Sequence, residues 1–259
     1  GIPTVPKERR IRPIHIWQSA AAILFLLLAS SVYLSTVGAK AETDLLQQYI
    51  PIAEMRSLTL PDGTKVQLNS KSTLLYPQEF TGDSRSVFLL GEANFKVKPD
   101  KKRPFIVKSN DLQITALGTE FNVSAYPESQ EIATTLISGS IRVDYNNLTT
   151  SVILHPNEQF AYNRNNKKYD LSNPDMDDVT AWQRGELVLQ KMTLTDIINV
   201  LERKYPYAFV YSIKNLKNDR FSFRFKDNAP LEEVMEIIVN VVGQMDYRIV
   251  EDKCYLTRI

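Results

Sequence analysis

The chain has 259 residues, 43% apolar, 10% aromatic and 24% charged, a composition that argues against disorder and leaves room for about two domains. Its net charge of +1 hides an asymmetry: Lys7, Arg9, Arg10 and Arg12 face only Glu8 before residue 38, so the remainder is slightly acidic and offers no basic face for nucleic acid. A single cysteine, Cys254, forbids an internal disulfide, and two distant histidines, His15 and His155, suggest neither a metal site nor a cofactor.

In chain order, residues 1–14 read as a basic stub and residues 15–37 as one transmembrane helix. Trp17 to Val37 carries no formal charge and contains the run Ala20-Ala-Ala-Ile-Leu-Phe-Leu-Leu-Leu-Ala29, close to the roughly 20 apolar residues that a span requires. The basic residues precede it and Glu42 and Asp44 follow, which places the N-terminus in the cytoplasm and the bulk of the chain outside. A cleaved signal peptide is the competing reading, because Ala39-Lys40-Ala41 resembles a cleavage site. The chain begins at Gly1 rather than Met, and a cytoplasmic domain upstream is expected.

Residues 38–54 read as a linker. From 55 to 163 the pattern is short strands separated by turns, an all-β domain that could also be β-solenoid-like. Pro61-Asp62-Gly63 is a turn in which Pro presets φ and Gly tolerates positive φ, and Thr64 to Leu68 then alternates with period two. Further runs include Ser86–Leu90, Phe95–Val97, Phe105–Lys108, Phe121–Ala125, Ile132–Ile137 and Ile141–Tyr145, with Gly91, Gly118 and Gly139 at strand ends.

Residues 164–180 are polar, contain Pro174 and read as a second linker. Residues 181–259 change period. Leu194, Ile197, Ile198, Leu201 and Tyr205 form one helical stripe behind the N-cap candidate Thr193. Leu231, Val234, Met235, Ile238 and Val242 form another, closed by Gly243. With the flanking strands this gives a small α+β domain of order β-α-β-β-α-β-β.

Five stretches resemble the FecR family of transmembrane sigma-factor regulators, in the arrangement common among Bacteroides-type bacteria: Leu60-Pro-Asp-Gly-Thr-Lys-Val-Gln-Leu-Asn69, Leu90-Gly-Glu-Ala-Asn-Phe-Lys-Val97, Arg103-Pro-Phe-Ile-Val107, Ala116-Leu-Gly-Thr-Glu-Phe-Asn-Val123 and Ile137-Ser-Gly-Ser-Ile-Arg-Val143. Leu154-His-Pro-Asn-Glu-Gln159 is similar to the family's late turn, with Asn157 where Gly is common. Residues 182–259 are similar to the accompanying C-terminal domain, related to the short N-terminal domains of secretins and TonB-dependent receptors.

The resemblance implies an anti-sigma protein of the inner membrane that is not an enzyme. A TonB-dependent outer-membrane transducer would offer its signalling domain in the periplasm, and an extracytoplasmic-function sigma factor would be held in the cytoplasm by the domain upstream. Some members of such a family cleave themselves at a Gly-Thr bond, which makes Gly118-Thr119 a self-cleavage candidate in which Thr119 Oγ1 attacks the Gly118 carbonyl and an ester replaces the peptide bond. The alternative is that Gly118 allows a tight strand crossing and Thr119 is a good β-former.

Phe221, Phe223 and Phe225 alternate with Ser222 and Arg224. They read first as core and second as part of an edge strand that accepts a partner strand from the transducer. An exported module binding carbohydrate or envelope material is the alternative function. Paired carboxylates such as Glu232-Glu233 and Asp177-Asp178 are sequence neighbours of the solvated kind, and Asn122-Val-Ser and Asn147-Leu-Thr are chance sequons.

Overall fold

The structure is a computed structural model and describes residues 22–33, 44–212, 219–226 and 229–258. The chain divides into two compact units, Gly1–Thr43 and Asp44–Ile259. In the first, residues 22–33 form helix α1, and every side chain is exposed, including Leu24, Phe25, Leu26, Leu27 and Leu28. Among the described residues no helix is long and apolar enough to cross a membrane. The remainder of the expected 15–37 span and the Ala39–Ala41 motif lie outside the described residues.

The second unit begins with thirteen strands in one connected sheet. They are β1 (Leu45–Tyr49), β2 (Arg56–Thr59), β3 (Lys65–Leu68), β4 (Thr73–Pro77), β5 (Arg85–Lys96), β6 (Phe105–Lys108), β7 (Gln113–Ala116), β8 (Glu120–Ala125), β9 (Glu131–Ser138), β10 (Ile141–Tyr145), β11 (Thr150–Leu154), β12 (Gln159–Asn163) and β13 (Tyr169–Ser172). The sheet has two halves, β1-β4-β5-β6-β7-β10-β11 and β2-β3-β5-β8-β9-β12-β13, and only β5 belongs to both. Their inner faces share one apolar core. Phe105 from the first half lies 5.9 Å from Phe95, and Tyr145 lies 5.2 Å from Phe160 of the second.

Three expectations are corrected. Neighbouring strands in this sheet run antiparallel except β5 and β6, so the sheet is not solenoid-like, an architecture whose stacked coils pair in parallel. Gly91 does not end a strand: at φ 104° it bends β5, which continues into the other half. Both expected linkers contain strands, β1 within 38–54 and β13 within 164–180. Their residues are mostly exposed and are held by backbone pairing to β4 and β12, so burial left no period-two signal in the sequence.

A buried ion pair holds the start of β5. Arg85 Nη1 lies 2.7 Å from Asp62 Oδ2, and the two side chains are 1% and 5% exposed. Arg85 also donates to the carbonyls of Arg103 and Lys98, while Asp62 accepts from the backbone and hydroxyl of Thr64. The pair thereby fixes the Pro61-Asp62-Gly63 turn against β5.

After β13 come helix α2 (Met176–Thr180), a 3-10 helix (Ala181–Arg184), β14 (Leu187–Thr193), α3 (Leu194–Lys204), β15 (Ala208–Val210), β16 (Arg220–Phe225), α4 (Leu231–Val242), β17 (Met245–Val250) and β18 (Lys253–Arg258). From β14 onward the order is the expected β-α-β-β-α-β-β. Thr193 caps α3, its Oγ1 accepting from Asp196 N–H at 3.2 Å. Strand β14 pairs with β16, and β15 and β17 flank β18. The helices pack their apolar stripes into a second core around Leu189, Ile197, Leu201, Val234 and Ile238.

Two outcomes follow. Asp62→Ala leaves the Arg85 charge buried and unpaired, so chemical denaturation should show a loss of about 3–5 kcal/mol. Gly91→Ala would place a Cβ 2.4 Å from Ser72 Oγ and 2.7 Å from Ser72 Cα at a positive φ, and the same assay should show a loss of more than about 1 kcal/mol.

Candidate functional site

The bend at Gly91 carries the next residue, Glu92, onto the outer face of the second half-sheet. There the backbone pairing sets up a polar floor. Glu92 lies opposite Ser124 on β8, Asn122 opposite Thr135 on β9, and Thr135 opposite Gln159 on β12. Asn69 joins from the end of β3, its N–H donating to the Glu92 carbonyl at 3.0 Å. Trp182, Val188, Met192, Val200 and Tyr205 from the C-terminal elements face this floor across a cleft of about 540 Å³.

Glu92 sits within an ordered network. Its Oε2 accepts from Asn69 Nδ2 at 2.8 Å and its Oε1 from Asn122 Nδ2 at 3.0 Å. Ser70 N–H donates to Asn69 Oδ1 at 2.8 Å, and the Trp182 indole N–H donates to Asn122 Oδ1 at 3.3 Å. Burial pushes the Glu92 carboxyl above its ordinary pKa. The two amide hydrogen bonds and the more distant Arg203 charge oppose that rise without cancelling it.

A second set of contacts joins the C-terminal elements to the sheet. The Arg203 guanidinium lies 3.8 Å from the centroid of the Tyr126 ring and donates to Glu128 Oε1 at 2.7 Å. The Arg203 carbonyl accepts from Ala53 N–H at 3.0 Å. Tyr126 is itself buried, donates its hydroxyl to the Ser70 carbonyl at 2.9 Å and has its pKa pushed up by that burial. Arg203 therefore packs one core against the other while keeping its charge paired.

The residues singled out from sequence lie elsewhere. Phe221, Phe223 and Phe225 stack along β16 with centroids 6.4 and 5.9 Å apart and pack into the second core, Phe223 and Phe225 fully and Phe221 in part. Arg224 points the other way into an ion cluster with Asp178, with Glu186 at 2.9 Å and with Asp177 at 3.5 Å. Among the described residues β14 is the only strand paired to β16.

Gly118 has φ 147°, and a Cβ there would meet Pro99 Cα at 2.8 Å. The neighbouring Thr119 is buried, its carbonyl accepts from Val97 N–H at 2.9 Å, and its Oγ1 has no hydrogen-bond partner among the described residues. The hydroxyl is enclosed, and among the described residues no basic side chain is bonded to it.

Sequence reasoning missed Glu92, Asn69, Asn122, Trp182 and Arg203 as a group. The first three stand inside motif stretches already singled out, Glu92 and Asn122 at outward strand positions and Asn69 just past the end of β3, where an all-β core needs no amide or carboxylate. That mismatch was the available signal.

Two family models match the chain, one described as FecR protein over residues 50–142 and one as FecR, C-terminal, over residues 186–256. Two solved structures of a chain described as an anti-sigma factor from Parabacteroides distasonis ATCC 8503, at 2.50 and 1.65 Å resolution, are each 34% identical to it. Each covers 83% of this chain, with 100% and 99% of its own length matched and TM-scores of 0.78 and 0.77. The chain belongs to the FecR family of anti-sigma factors. No protein of curated function matches it. In this FecR-family chain Glu92 and Asn122 fall within the first matched region and Arg203 within the second, whereas Trp182 lies in the stretch between them.

The raised pKa of Glu92 has a measurable consequence. A folded protein that holds this proton more tightly than the unfolded chain loses stability as pH rises from about 4.5 through the folded-state value. Glu92→Gln removes that contribution. Denaturation across this range should therefore show wild-type stability declining relative to the variant as pH increases.

Proposed function

We propose that the chain is the membrane-anchored, exported part of an anti-sigma regulator. It would relay a signal from a TonB-dependent outer-membrane transducer to an extracytoplasmic-function sigma factor. The observation that carries this reading is the 34% identity extending over the whole length of a solved anti-sigma chain. An anti-sigma factor has a sigma factor for a partner, and no step of this role needs catalytic turnover.

The anchor is argued from residues 15–37. The uncharged run, the basic N-terminal flank and the apolar side chains exposed around all of α1 fit a helix in lipid with its N-terminus in the cytoplasm. The exported part is then a periplasmic β module at 55–163 and an α+β module at 181–259, joined through 164–180. Strand β16, which carries Phe221, Phe223, Phe225 and Arg224 and has one edge free of other described strands, is the docking place proposed for a transducer strand, which would pair with its backbone along that edge.

Self-cleavage between Gly118 and Thr119 is a second element of the proposal. Attack of Thr119 Oγ1 on the Gly118 carbonyl breaks the C–N bond and forms an ester. The hydroxyl proton passes to the freed Thr119 amine, and water then hydrolyses the ester. The positive φ of Gly118 and the unpartnered hydroxyl support it.

Purification from membranes tests the relay. A sigma factor should co-purify on the cytoplasmic side and a transducer signalling domain on the other, and recovery of neither would overturn the reading. For self-cleavage, wild type should give two fragments on an immunoblot and Thr119→Ala one. Identical processing in both would remove that step.

A further inference from the structure

The network around Glu92 fixes more than its position. Ser70 N–H occupies Asn69 Oδ1, and the Trp182 indole, which can only donate, occupies Asn122 Oδ1. Both amide NH2 groups are thereby turned toward Glu92, one on each carboxylate oxygen. Each carboxylate oxygen thus accepts one amide hydrogen bond, which favours the ionised form against the burial that opposes it.

That charge has no partner. Of the other ionised groups lining the cleft, Asp178 and Glu186 pair with Arg224, Arg203 is held by Glu128 and Tyr126, and Lys204 donates to the Gly185 carbonyl. Glu92 makes no ion pair among the described residues, although a desolvated carboxylate is costly unless compensated. The cleft beside it is open enough for a ligand and has Trp182 and Tyr205 in its lining. Among the described residues no group of three or more His, Cys, Asp or Glu is placed to hold a metal ion, so one carboxylate flanked by aromatic side chains suits an organic cation better.

We propose that the cleft between the half-sheet and the C-terminal elements binds an organic cation, a primary ammonium or guanidinium group, with Glu92 as its counter-charge and Trp182 and Tyr205 as its aromatic walls. Such a group arrives either as a free amine or as a lysine or arginine side chain on a partner polypeptide. Glu92, Trp182 and Arg203 come from the two regions matched to the family and the stretch between them, so an occupant there would touch the elements that hold the sheet and the α+β module together. The site does not depend on the relay: it stands or falls on Glu92 whether or not a transducer binds.

Calorimetric titration of the purified chain tests it. The probes are n-butylammonium, n-butylguanidinium and the peptide acetyl-Ala-Ala-Lys-Ala-Ala-amide, with n-butanol and the norleucine peptide as uncharged controls. Saturable binding of the cations and not of the controls is expected, weakened about tenfold or more by Glu92→Gln through loss of a charge-assisted contact. A lysine peptide that binds more tightly than butylammonium identifies a partner polypeptide as the source, and equal affinity identifies a free amine. No binding of any cation by wild type, or equal binding by wild type and Glu92→Gln, overturns the proposal. Should the variant fail to fold, wild-type affinity decides: it must fall as pH is lowered into the carboxylate range, and an affinity that does not change with pH overturns the site.

Discussion

The architecture depends on β5 serving two half-sheets at once. A strand shared in this way must hold one register against β4 and β6 at its start and another against β3 and β8 at its end. The buried Arg85–Asp62 pair fixes the first residue, and Gly91 turns the strand where it passes from one half to the other. A slip of one residue would exchange the Phe95 core position with the outward face and would move Glu92 out of its amide cradle. Fold and site are therefore set by the same few residues, and the Leu90-Gly-Glu stretch belongs to both.

The outer face of the second half-sheet shows how a polar surface can be buried with its amide and carboxylate groups hydrogen-bonded. Asn69, Glu92 and Asn122 each find partners, Gln159 donates to Thr135 at 2.7 Å, and Trp182 supplies a donor from across the cleft. Arg203 completes the junction with a stacked, ion-paired guanidinium. The contacts are specific rather than broadly apolar and give the junction one defined geometry.

Much of the fold was legible because burial leaves a period in the sequence. The α3 stripe from Leu194 to Leu201, its Thr193 cap and the turn at Pro61-Asp62-Gly63 are local, and each follows from residue chemistry alone. Strands β1 and β13 were not legible, because they are held by backbone pairing, β1 to the distant β4 and β13 to the preceding β12, while their side chains mostly face solvent. The bend in β5 looked like two strands, since a glycine of positive φ punctuates a pattern in the same way whether the strand ends or turns. The site was the least legible part. Asn69, Glu92, Asn122, Trp182 and Arg203 span much of the chain and meet only through strand register and the docking of the second core. The family resemblance pointed to Gly118-Thr119 and the alternating pattern to β16, neither of which lies in the cleft.

The sheet and the C-terminal elements, joined through Trp182 and Arg203, lie in one compact unit from Asp44 onward and are expected to open as one cooperative body. Native-state hydrogen exchange measures this directly, because amides within one cooperative unit share one opening free energy. The slowest amides of β8 and β12, such as those of Val123 and Phe160, should open together with those of Ile198 and Leu201 in α3, and Arg203→Ala should separate the two sets. Opening free energies that already differ between sheet and α3 in the wild-type protein would contradict the account.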